Sequence, residues 1–188
     1  KKLNITLKQQ QSKIDSLEEK LKEQTDLNIE LEETLDDQVN RSMRNNLIIK
    51  NIPEEDQETW DISKNKVGEI LESISGVDRN KITEGIERAH RGGKKKADKR
   101  RNIYIRFYSW DDAEYYFQKF KSLAMKKHHF NYKIDRQYSK KLTSRRNEAM
   151  LERKRLLDSK QIVSGYVDFP AKLLVKKSVN TRYALHAE

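Results

Sequence analysis

Clustered cations and one exposed ring are the residues of this sequence best placed to do chemistry. Residues 88–101 contain eight Lys or Arg and one Asp, arranged around two glycines. The run leads directly into an alternating segment whose Tyr104 and Arg106 fall on one face. Cations hold phosphates and aromatic rings stack on bases, so the pattern predicts contact with single-stranded nucleic acid. The candidates in this segment are Arg88, Arg91, Lys94, Lys95, Lys96, Arg100, Arg101, Tyr104 and Arg106.

Catalytic and metal-binding patterns are much weaker. The sequence has no cysteine, and its four histidines lack the His-Glu-x-x-His spacing of a metal site. The segment Gly92-Gly93-Lys94-Lys95 lacks the spacer and the Ser or Thr of a phosphate-binding P-loop. Asp111-Asp112 is explained by helix capping. We therefore predict that the chain is not an enzyme and uses no catalytic residue, metal, cofactor or small-molecule substrate.

Charge is sorted along the chain. Residues 1–40 have a net charge of −4, so residues 41–188 carry +14 within the total of +10. A basic excess confined to one part of a chain favours a nucleic-acid partner over an anionic membrane surface. No apolar run approaches the roughly 20 residues of a membrane span, and no signal-peptide core is present. We expect a soluble intracellular protein without a membrane partner.

The acidic amino-terminal part shows a heptad repeat. Because no Gly or Pro precedes Pro53, about 38 residues can form one continuous helix. Seven of its apolar residues follow one heptad frame, and Leu27, three residues after Gln24 and four before Leu31, offers an alternative frame. A single helix would leave these side chains uncovered, so we predict a coiled coil between chains. The apolar seam positions are Leu3, Leu7, Ile14, Leu17, Leu21, Leu31 and Leu35.

Lys13 and Glu18 flank the seam and bear on the number of chains. Lys13, at a g position, can reach Glu18 at the e position of a neighbouring helix, while Ile14 and Leu17 enter the seam. This motif recurs in parallel trimers, although a dimer fits the same residues. We predict a parallel homotrimer, with a dimer as the alternative.

The middle of the chain predicts alternating strands and helices. Residues 47–52 and 102–108 form its two clearest strands. The other predicted elements are a helix capped by Asp61 and ended by Gly76, a weaker strand over 82–89, a helix started by Ser109 with Asp112, and a last strand through Phe130, Tyr132 and Ile134. Strand, helix, strand, strand, helix, strand within about 90 residues is the order of the ferredoxin-like plait.

The two clearest strands occupy the places where an RNA-recognition motif carries its RNP segments. Period-two alternation leaves one set of side chains on the open face of the sheet: Ile48, Lys50, Asn102, Tyr104 and Arg106. Ile48 and Asn102 replace two of the usual stacking rings, so Tyr104 alone remains. We therefore expect the sheet to be one wall of a site that depends strongly on phosphate contacts.

A small unit follows the plait. Residues 139–159 predict a helix with a basic side, and residues 162–176 predict a hairpin or small sheet turned at Gly165 and Pro170. About fifty residues bury too little surface to be stable alone, so this unit should lean on the plait or on a partner. The predicted fold class is α+β, with a parallel coiled coil over 1–42, an RNA-recognition-motif plait over 43–137 and a small α+β carboxy-terminal domain over 138–188.

Six short motifs follow the heptads in a fixed order. They are Asn46–Pro53 (NLIIKNIP), Glu87–Arg91 (ERAHR), Arg101–Phe107 (RNIYIRF), Arg145-Arg146, Phe169–Leu173 (FPAKL) and Thr181–Leu185 (TRYAL). With these motifs the chain resembles the first open-reading-frame protein of LINE retrotransposons, over nearly its whole length. The short coiled coil and the ending at Glu188 depart from the family pattern.

The resemblance implies a homotrimer that coats the element's own RNA and acts as a nucleic-acid chaperone in retrotransposition. It implies single-stranded RNA as the main partner, single-stranded DNA as a second one, and a location in cytoplasmic ribonucleoprotein particles and the nucleus. The RNA contacts that it implies are Arg88, Arg91, Arg100, Arg101, Arg145, Arg146, Phe169, Lys172 and Arg182.

Two other interpretations stay open, a coiled-coil structural adaptor and a coiled-coil DNA-binding factor. In a leucine-zipper factor the basic helix precedes the heptads, whereas here the heptads come first and are acidic. This order argues against the DNA-binding factor. An adaptor would keep the coiled coil and would not bind nucleic acid.

Overall fold

A computed structural model describes residues 2–95, 100–126 and 128–186, without side-chain detail at residues 2, 3, 5 and 6. The chain is mixed α+β and divides into two compact units, Lys1–Val39 and Asn40–Glu188. Among the described helices, none combines the length and the apolarity that crossing a bilayer requires.

The first unit consists of most of a single helix, α1 (Lys2–Ser42). The helix ends at Ser42, the predicted end of the first segment, and Asn46 N–H then donates to the Met43 carbonyl over 2.9 Å. Six of the predicted seam side chains are 48–68% exposed: Leu7, Ile14, Leu17, Leu21, Leu31 and Leu35. Leu3, the seventh, lies outside the described side chains. The single chain therefore leaves an apolar stripe in contact with solvent.

The second unit begins with a four-stranded antiparallel sheet and three helices. The elements are β1 (Asn46–Lys50), α2 (Trp60–Ser75), α3 (Arg79–Gly85), β2 (Ile86–Arg91), β3 (Ile103–Phe107), α4 (Trp110–Met125) and β4 (Lys133–Arg136). The strand order across the sheet is β2-β3-β1-β4. The two strands that the sequence identified as clearest therefore lie at the centre of the sheet.

One face of this sheet is buried against the helices. The predicted inward residues of β1 and β3 are all buried: Leu47, Ile49, Ile103, Ile105 and Phe107. They pack with Val67 and Leu71 of α2 and with Tyr116 and Phe120 of α4. The period-two alternation is confirmed, so the opposite faces of β1 and β3 are left for other contacts.

Three local predictions need correction. The cap of α2 is Thr59, whose hydroxyl accepts from Ile62 N–H, because Asp61 already lies inside the first helical turn. The strand predicted over 82–89 begins only at Ile86, because Asp78 caps the short helix α3 in front of it. The last strand begins at Lys133, so Phe130 and Tyr132 precede it and pack against the core. The predicted caps Gly76, with φ of 71°, and Ser109 are confirmed.

The remainder of the second unit is a helix and a small antiparallel sheet. The elements are α5 (Lys140–Asp158), β5 (Ser164–Asp168), β6 (Lys172–Lys176) and β7 (Ala184–Leu185). Their core contains Leu156, Ile162, Leu173 and Val175. Gly165 lies inside β5 rather than at a turn, because the turn of the hairpin is formed around Pro170. An added Cβ at Gly165 would meet the Leu174 carbonyl at 3.1 Å.

A polar contact joins the end of α1 to the start of α5. The Asn40 amide oxygen accepts from Ser139 N–H over 2.9 Å, and its nitrogen donates to the Ser139 hydroxyl over 3.2 Å. That hydroxyl also accepts from Leu142 N–H as the cap of α5. The bidentate contact fixes where the basic helix begins.

Candidate nucleic-acid interface

The open face of the four-stranded sheet carries aromatic and cationic side chains in register. One row across the strands is His90, Tyr104, Ile48 and Asp135, and the next is Arg88, Arg106 and Asn46. Directly opposed side chains on neighbouring strands lie within about 4.5–5.5 Å at Cβ. The register therefore places a ring row beside a guanidinium row, the combination that holds a base and its phosphate.

Tyr104 is half-buried in the middle of this face. Its ring centroid lies 6.2 Å from that of His90 in a stacked arrangement, and His90 lies 5.4 Å from Trp60. Gly92 lies against the Tyr104 ring, since an added Cβ there would come within 2.2 Å of Tyr104 Cε2. Trp60 is 63% exposed at the first turn of α2. The rings form a short track that leaves the sheet across the edge strand β2.

Arg88 and Arg106 supply positive charge beside the ring track. Arg88 is exposed, and its charge together with burial lowers the pKa of His90, with burial the larger cause. Arg106 Nε lies 2.8 Å from a carboxylate oxygen of Glu87, and the side chain is 40% exposed. An ion pair this exposed contributes little to stability and is readily exchanged for a phosphate.

The prediction that Arg91 contacts RNA is corrected by its position. Its side chain is 2% exposed and points to the helix side of β2, where it ion-pairs with Glu58 over 2.9 Å. The same guanidinium donates to three carbonyl oxygens, those of Ile52, Pro53 and Arg101. A buried guanidinium with its donors used in this way is a strut, because opening it would leave a buried carboxylate unpaired.

Glu58 is the acidic partner in this interior cluster, and its side chain is fully buried. Burial raises its pKa, but hydrogen bonds from Arg91, Lys66 and Ser63 outweigh burial and lower the pKa to about 2. Lys66 Nζ lies 2.8 Å from Glu58 and 2.9 Å from Glu55. The cluster therefore locks the chain segment after β1 onto β2 and α2.

Acidic residues that follow β1 also meet the basic run. Arg101 donates from Nε to Glu54 over 2.9 Å and from Nη1 to the Gly93 carbonyl over 3.2 Å. Lys95 pairs with Asp56 over 2.6 Å, and both of these side chains are largely exposed. Hydrogen bonds from Arg101 and Lys95 lower the pKa of Glu54 and of Asp56 respectively. Arg101 is thus mainly a structural partner of Glu54, whereas Lys95 is held only by an exposed pair.

The remaining predicted cations of the loop differ in their surroundings. Lys94 and Arg100 are exposed, and Arg100 reaches the Asn51 carbonyl and side-chain oxygens over 3.3–3.4 Å. Lys96 lies outside the described residues. Lys94 and Arg100 can therefore meet a phosphate at little cost.

In the carboxy-terminal region, Arg146 is half-buried and holds the chain together, and its RNA contact stays a prediction. Its guanidinium donates to the Val167, Asp168 and Pro170 carbonyls, at distances between 2.7 and 3.2 Å. The same group lies 4.8 Å above the Tyr138 ring, which is 6.2 Å from the ring of Phe169. Arg146 holds the β5–β6 turn against α5, and the turn presents Phe169 with 56% of its surface exposed.

Arg145 and Lys172 line one groove between α5 and the small sheet. Both side chains are exposed, and the groove has a volume of about 780 Å³. Glu148, Glu152 and Arg155 also line it, so its charge is mixed. Arg182 is exposed at a different groove, next to Gln161 and Lys177. The structure therefore brings Arg145 and Lys172 together and leaves Arg182 apart from them.

Two side chains of the ring track were missed by sequence reasoning. His90 does have a signal in the sequence, because its alternation with Arg88 on β2 places it on the open face. Trp60 offers no such signal, because a single tryptophan at a helix start is equally compatible with burial. Its position depends on how the edge of β2 meets α2.

The described residues contain no group of three or more His, Cys, Asp or Glu side chains that could hold a metal ion. Comparison with protein-family models gives no match for this chain, and comparison with curated protein sequences gives none either. The open face of the four-stranded sheet is therefore the main evidence about function.

Proposed function

We propose that the chain is a sequence-nonspecific single-stranded RNA-binding protein that trimerises through its amino-terminal helix. The observation that carries this proposal is the open sheet face, on which Tyr104 and His90 lie beside Arg88 and Arg106. A ring track next to guanidinium groups suits stacked bases joined by phosphates, and it suits any base because every base has a π-face.

The order and pairing of the elements support an RNA-recognition-motif plait as the scaffold of this face. The strands and helices follow the strand, helix, strand, strand, helix, strand order, with α3 as an added turn before the second strand. The two central strands β3 and β1 correspond to the RNP positions, and β3 supplies Tyr104. We assign residues 43–137 to this domain and residues 138–188 to a carboxy-terminal domain that adds Arg145, Phe169 and Lys172.

The exposed stripe of α1 supports the oligomer. Leucines and one isoleucine at 48–68% exposure would be costly on a lone helix, and a parallel coiled coil buries such a seam. Lys13 and Glu18 flank Ile14 and Leu17 as in a parallel trimer. We therefore propose residues 1–42 as a homotrimeric coiled coil, which presents three copies of the RNA site in one particle.

The biological role follows from the resemblance to the first open-reading-frame protein of LINE retrotransposons. In this role the trimer coats retrotransposon RNA in cytoplasmic ribonucleoprotein particles, and also enters the nucleus. It binds single-stranded DNA as well and acts as a nucleic-acid chaperone. Exposed cations that exchange quickly between phosphates lower the cost of strand rearrangement without any chemical step, so no enzyme activity, cofactor or metal is needed.

Titration of a mixed-sequence, fluorescently labelled RNA 20-mer against the full chain tests the proposal. We expect binding that weakens steeply with salt, with a slope of about −0.7 per phosphate contact, and equal affinity for shuffled sequences of the same composition. Arg88→Ala should weaken binding and reduce the slope. Arg79→Ala, an exposed arginine of α3 that pairs with Glu69 and Glu72, is the matched control and should change neither.

Two results would contradict the proposal. Absence of RNA binding at low salt would leave the coiled-coil adaptor as the better interpretation. Equal losses for Arg88→Ala and Arg79→Ala would mean that general positive charge, rather than the open sheet face, carries the binding.

A further inference from the structure

A small cleft opens on the sheet face beside Tyr104. Its volume is about 230 Å³, below the roughly 300–1,000 Å³ of typical pockets for drug-sized molecules. It is lined by the end of α1 and by side chains of three strands: Ser42, Met43, Asn46, Arg88, His90, Tyr104, Ile105, Arg106 and Gln137. The cleft therefore has room for one planar heterocycle and is placed where a nucleotide on Tyr104 would reach.

Asn46 and His90, which line this cleft, each have a buried polar atom without a hydrogen-bond partner among the described residues. Asn46 is only 9% exposed, and its side-chain oxygen Oδ1 is buried without a partner. Its amide nitrogen already donates to Gln137 Oε1 over 3.1 Å, so the oxygen is left for a ligand. The ring nitrogen Nδ1 of His90 is likewise buried and unpartnered. Buried polar atoms without partners are uncommon in native proteins, and a bound ligand is one way to satisfy them.

The buried Asn46 oxygen selects a ligand that donates hydrogen bonds. Burial and the charge of Arg88 lower the pKa of His90, which favours the neutral ring, and a neutral ring with its proton on Nε2 leaves Nδ1 as an acceptor. The Asn46 oxygen can only accept. A phosphate offers only acceptor oxygens at neutral pH and would meet the Asn46 oxygen unfavourably, so phosphates belong at the rim with Arg88 and Arg106.

We infer that this cleft holds one nucleobase that carries an amino group, and that it gives the sequence-nonspecific interface a local preference against uracil. The amino groups of cytosine, adenine and guanine donate two hydrogen bonds at a base edge. Uracil instead offers one N–H between two carbonyls and would bring a carbonyl towards the Asn46 oxygen. The inference rests on the proposed RNA binding, with Tyr104 stacking on the base whose edge the cleft reads.

Competition between oligo(C) and oligo(U) of equal length tests the inference in the full chain. The two bases have the same ring size, so stacking on Tyr104 is nearly matched and the amino edge is the main difference. We expect oligo(C) to bind about three- to tenfold more tightly than oligo(U), the range for one or two net hydrogen bonds. Asn46→Ala and His90→Phe should bring the ratio within about twofold.

Two variants and one control test whether the cleft prefers a base with an amino group. His90→Phe keeps a ring against Tyr104 and removes only the nitrogens, so it serves even if Asn46→Ala unfolds the sheet. Asn80→Ala, on the exposed first turn of α3, is the control and should keep the wild-type ratio. A wild-type ratio within twofold would overturn the inference and leave RNA binding intact. A ratio unchanged by His90→Phe would overturn it too, whereas no RNA binding at all would refute the proposed function itself.

Discussion

At the residue scale, the position of the Tyr104 ring depends on a glycine in the next loop. Gly92 follows β2, and its N–H donates to the Asn102 carbonyl over 3.0 Å, so the backbone passes close to the Tyr104 ring. Any side chain at this position would occupy the space of the ring. Gly92 is therefore part of the candidate interface although it makes no contact of its own with a ligand.

We predict that Gly92→Ala displaces the Tyr104 ring and weakens single-stranded RNA binding about five- to tenfold. A loss of this size in affinity corresponds to part of the roughly 1–3 kcal/mol that one stacked base contributes to binding. Gly85→Ala is the control, since an added Cβ there has only an ordinary contact with Asp112 at 3.4 Å. The measurement is fluorescence anisotropy at fixed salt, with thermal melting to confirm folding. Wild-type affinity in Gly92→Ala would show that the ring does not bind RNA.

A second prediction at this scale concerns the buried carboxylate of Glu58. Its pKa falls from an ordinary value of 4.5 to about 2 in the folded chain. The lowered pKa stabilises the fold fully above pH 4.5, and this contribution disappears as the pH falls from 4.5 towards 2. At neutral pH it corresponds to about 3 kcal/mol. Glu58→Gln should therefore lower the free energy of unfolding strongly at pH 7 and much less at pH 3.

Denaturant unfolding at the two pH values measures this difference. Glu55→Gln is the matched control, because Glu55 also pairs with Lys66 but its side chain is 62% exposed. We expect the control to change stability by less than about 1 kcal/mol at either pH. An equal loss for Glu58→Gln at pH 7 and pH 3 would mean that the lost contacts are not those of the charged carboxylate.

At the scale of elements, the segment after β1 pairs with cations of the basic run, so in the proposed function it would compete with RNA for them. Glu54 and Glu58 hold Arg101 and Arg91 in structural pairs, while Asp56 holds Lys95 at the surface. The Asp56 side chain is 96% exposed, so this pair contributes little to stability and mainly cancels one positive charge. The cations that pair with Glu54 and Glu58 thus stabilise the fold, whereas Lys95, which pairs only with exposed Asp56, can bind a ligand.

Asp56→Asn should accordingly strengthen RNA binding. We expect an increase of about two- to threefold at low salt and a salt slope steeper by about 0.7, because Lys95 becomes available for one more phosphate. Glu84→Gln, which removes an exposed carboxylate of α3, is the control for net charge. Equal gains in the two variants would show that net charge matters and that the Lys95 pair does not.

The sequence predicted the elements whose periodicity is regular and missed those decided by packing. Alternation identified the buried face because Leu47 and Ile49 in β1, and Ile103 and Ile105 in β3, repeat at period two. The pattern gave the wrong element at Ile82, because this side chain would be buried in a strand as well as in a helix. The Asp78 cap is what makes the segment the helix α3. Charge alone likewise could not separate Arg88 from Arg91, since a shift of three residues along β2 takes one guanidinium to solvent and the other to Glu58.

At the scale of the whole molecule, the proposed trimer multiplies a site that is weak in one chain. One stacking tyrosine and a few exposed cations per subunit give modest affinity, and linking several such sites raises the effective concentration for each further contact. Avidity of this kind can exceed the affinity of one site by about 10²–10⁴ without any new contact. In the proposed trimer the acidic helix would thus strengthen RNA binding, although its own charge repels RNA.

Leu17→Asp combined with Leu21→Asp should therefore separate oligomerisation from the single site. We expect the mass by light scattering to fall from three times to one times the 22.4 kDa chain, because charges in the seam prevent association. Affinity for a long RNA should fall at least tenfold, while affinity for an RNA that fits one subunit stays within about twofold. Gln9→Asp with Ser16→Asp adds the same charge outside the seam and should remain trimeric. A doubly substituted seam that stays multimeric would exclude the coiled coil as the interface, and a wild-type mass of two chains would select the dimer.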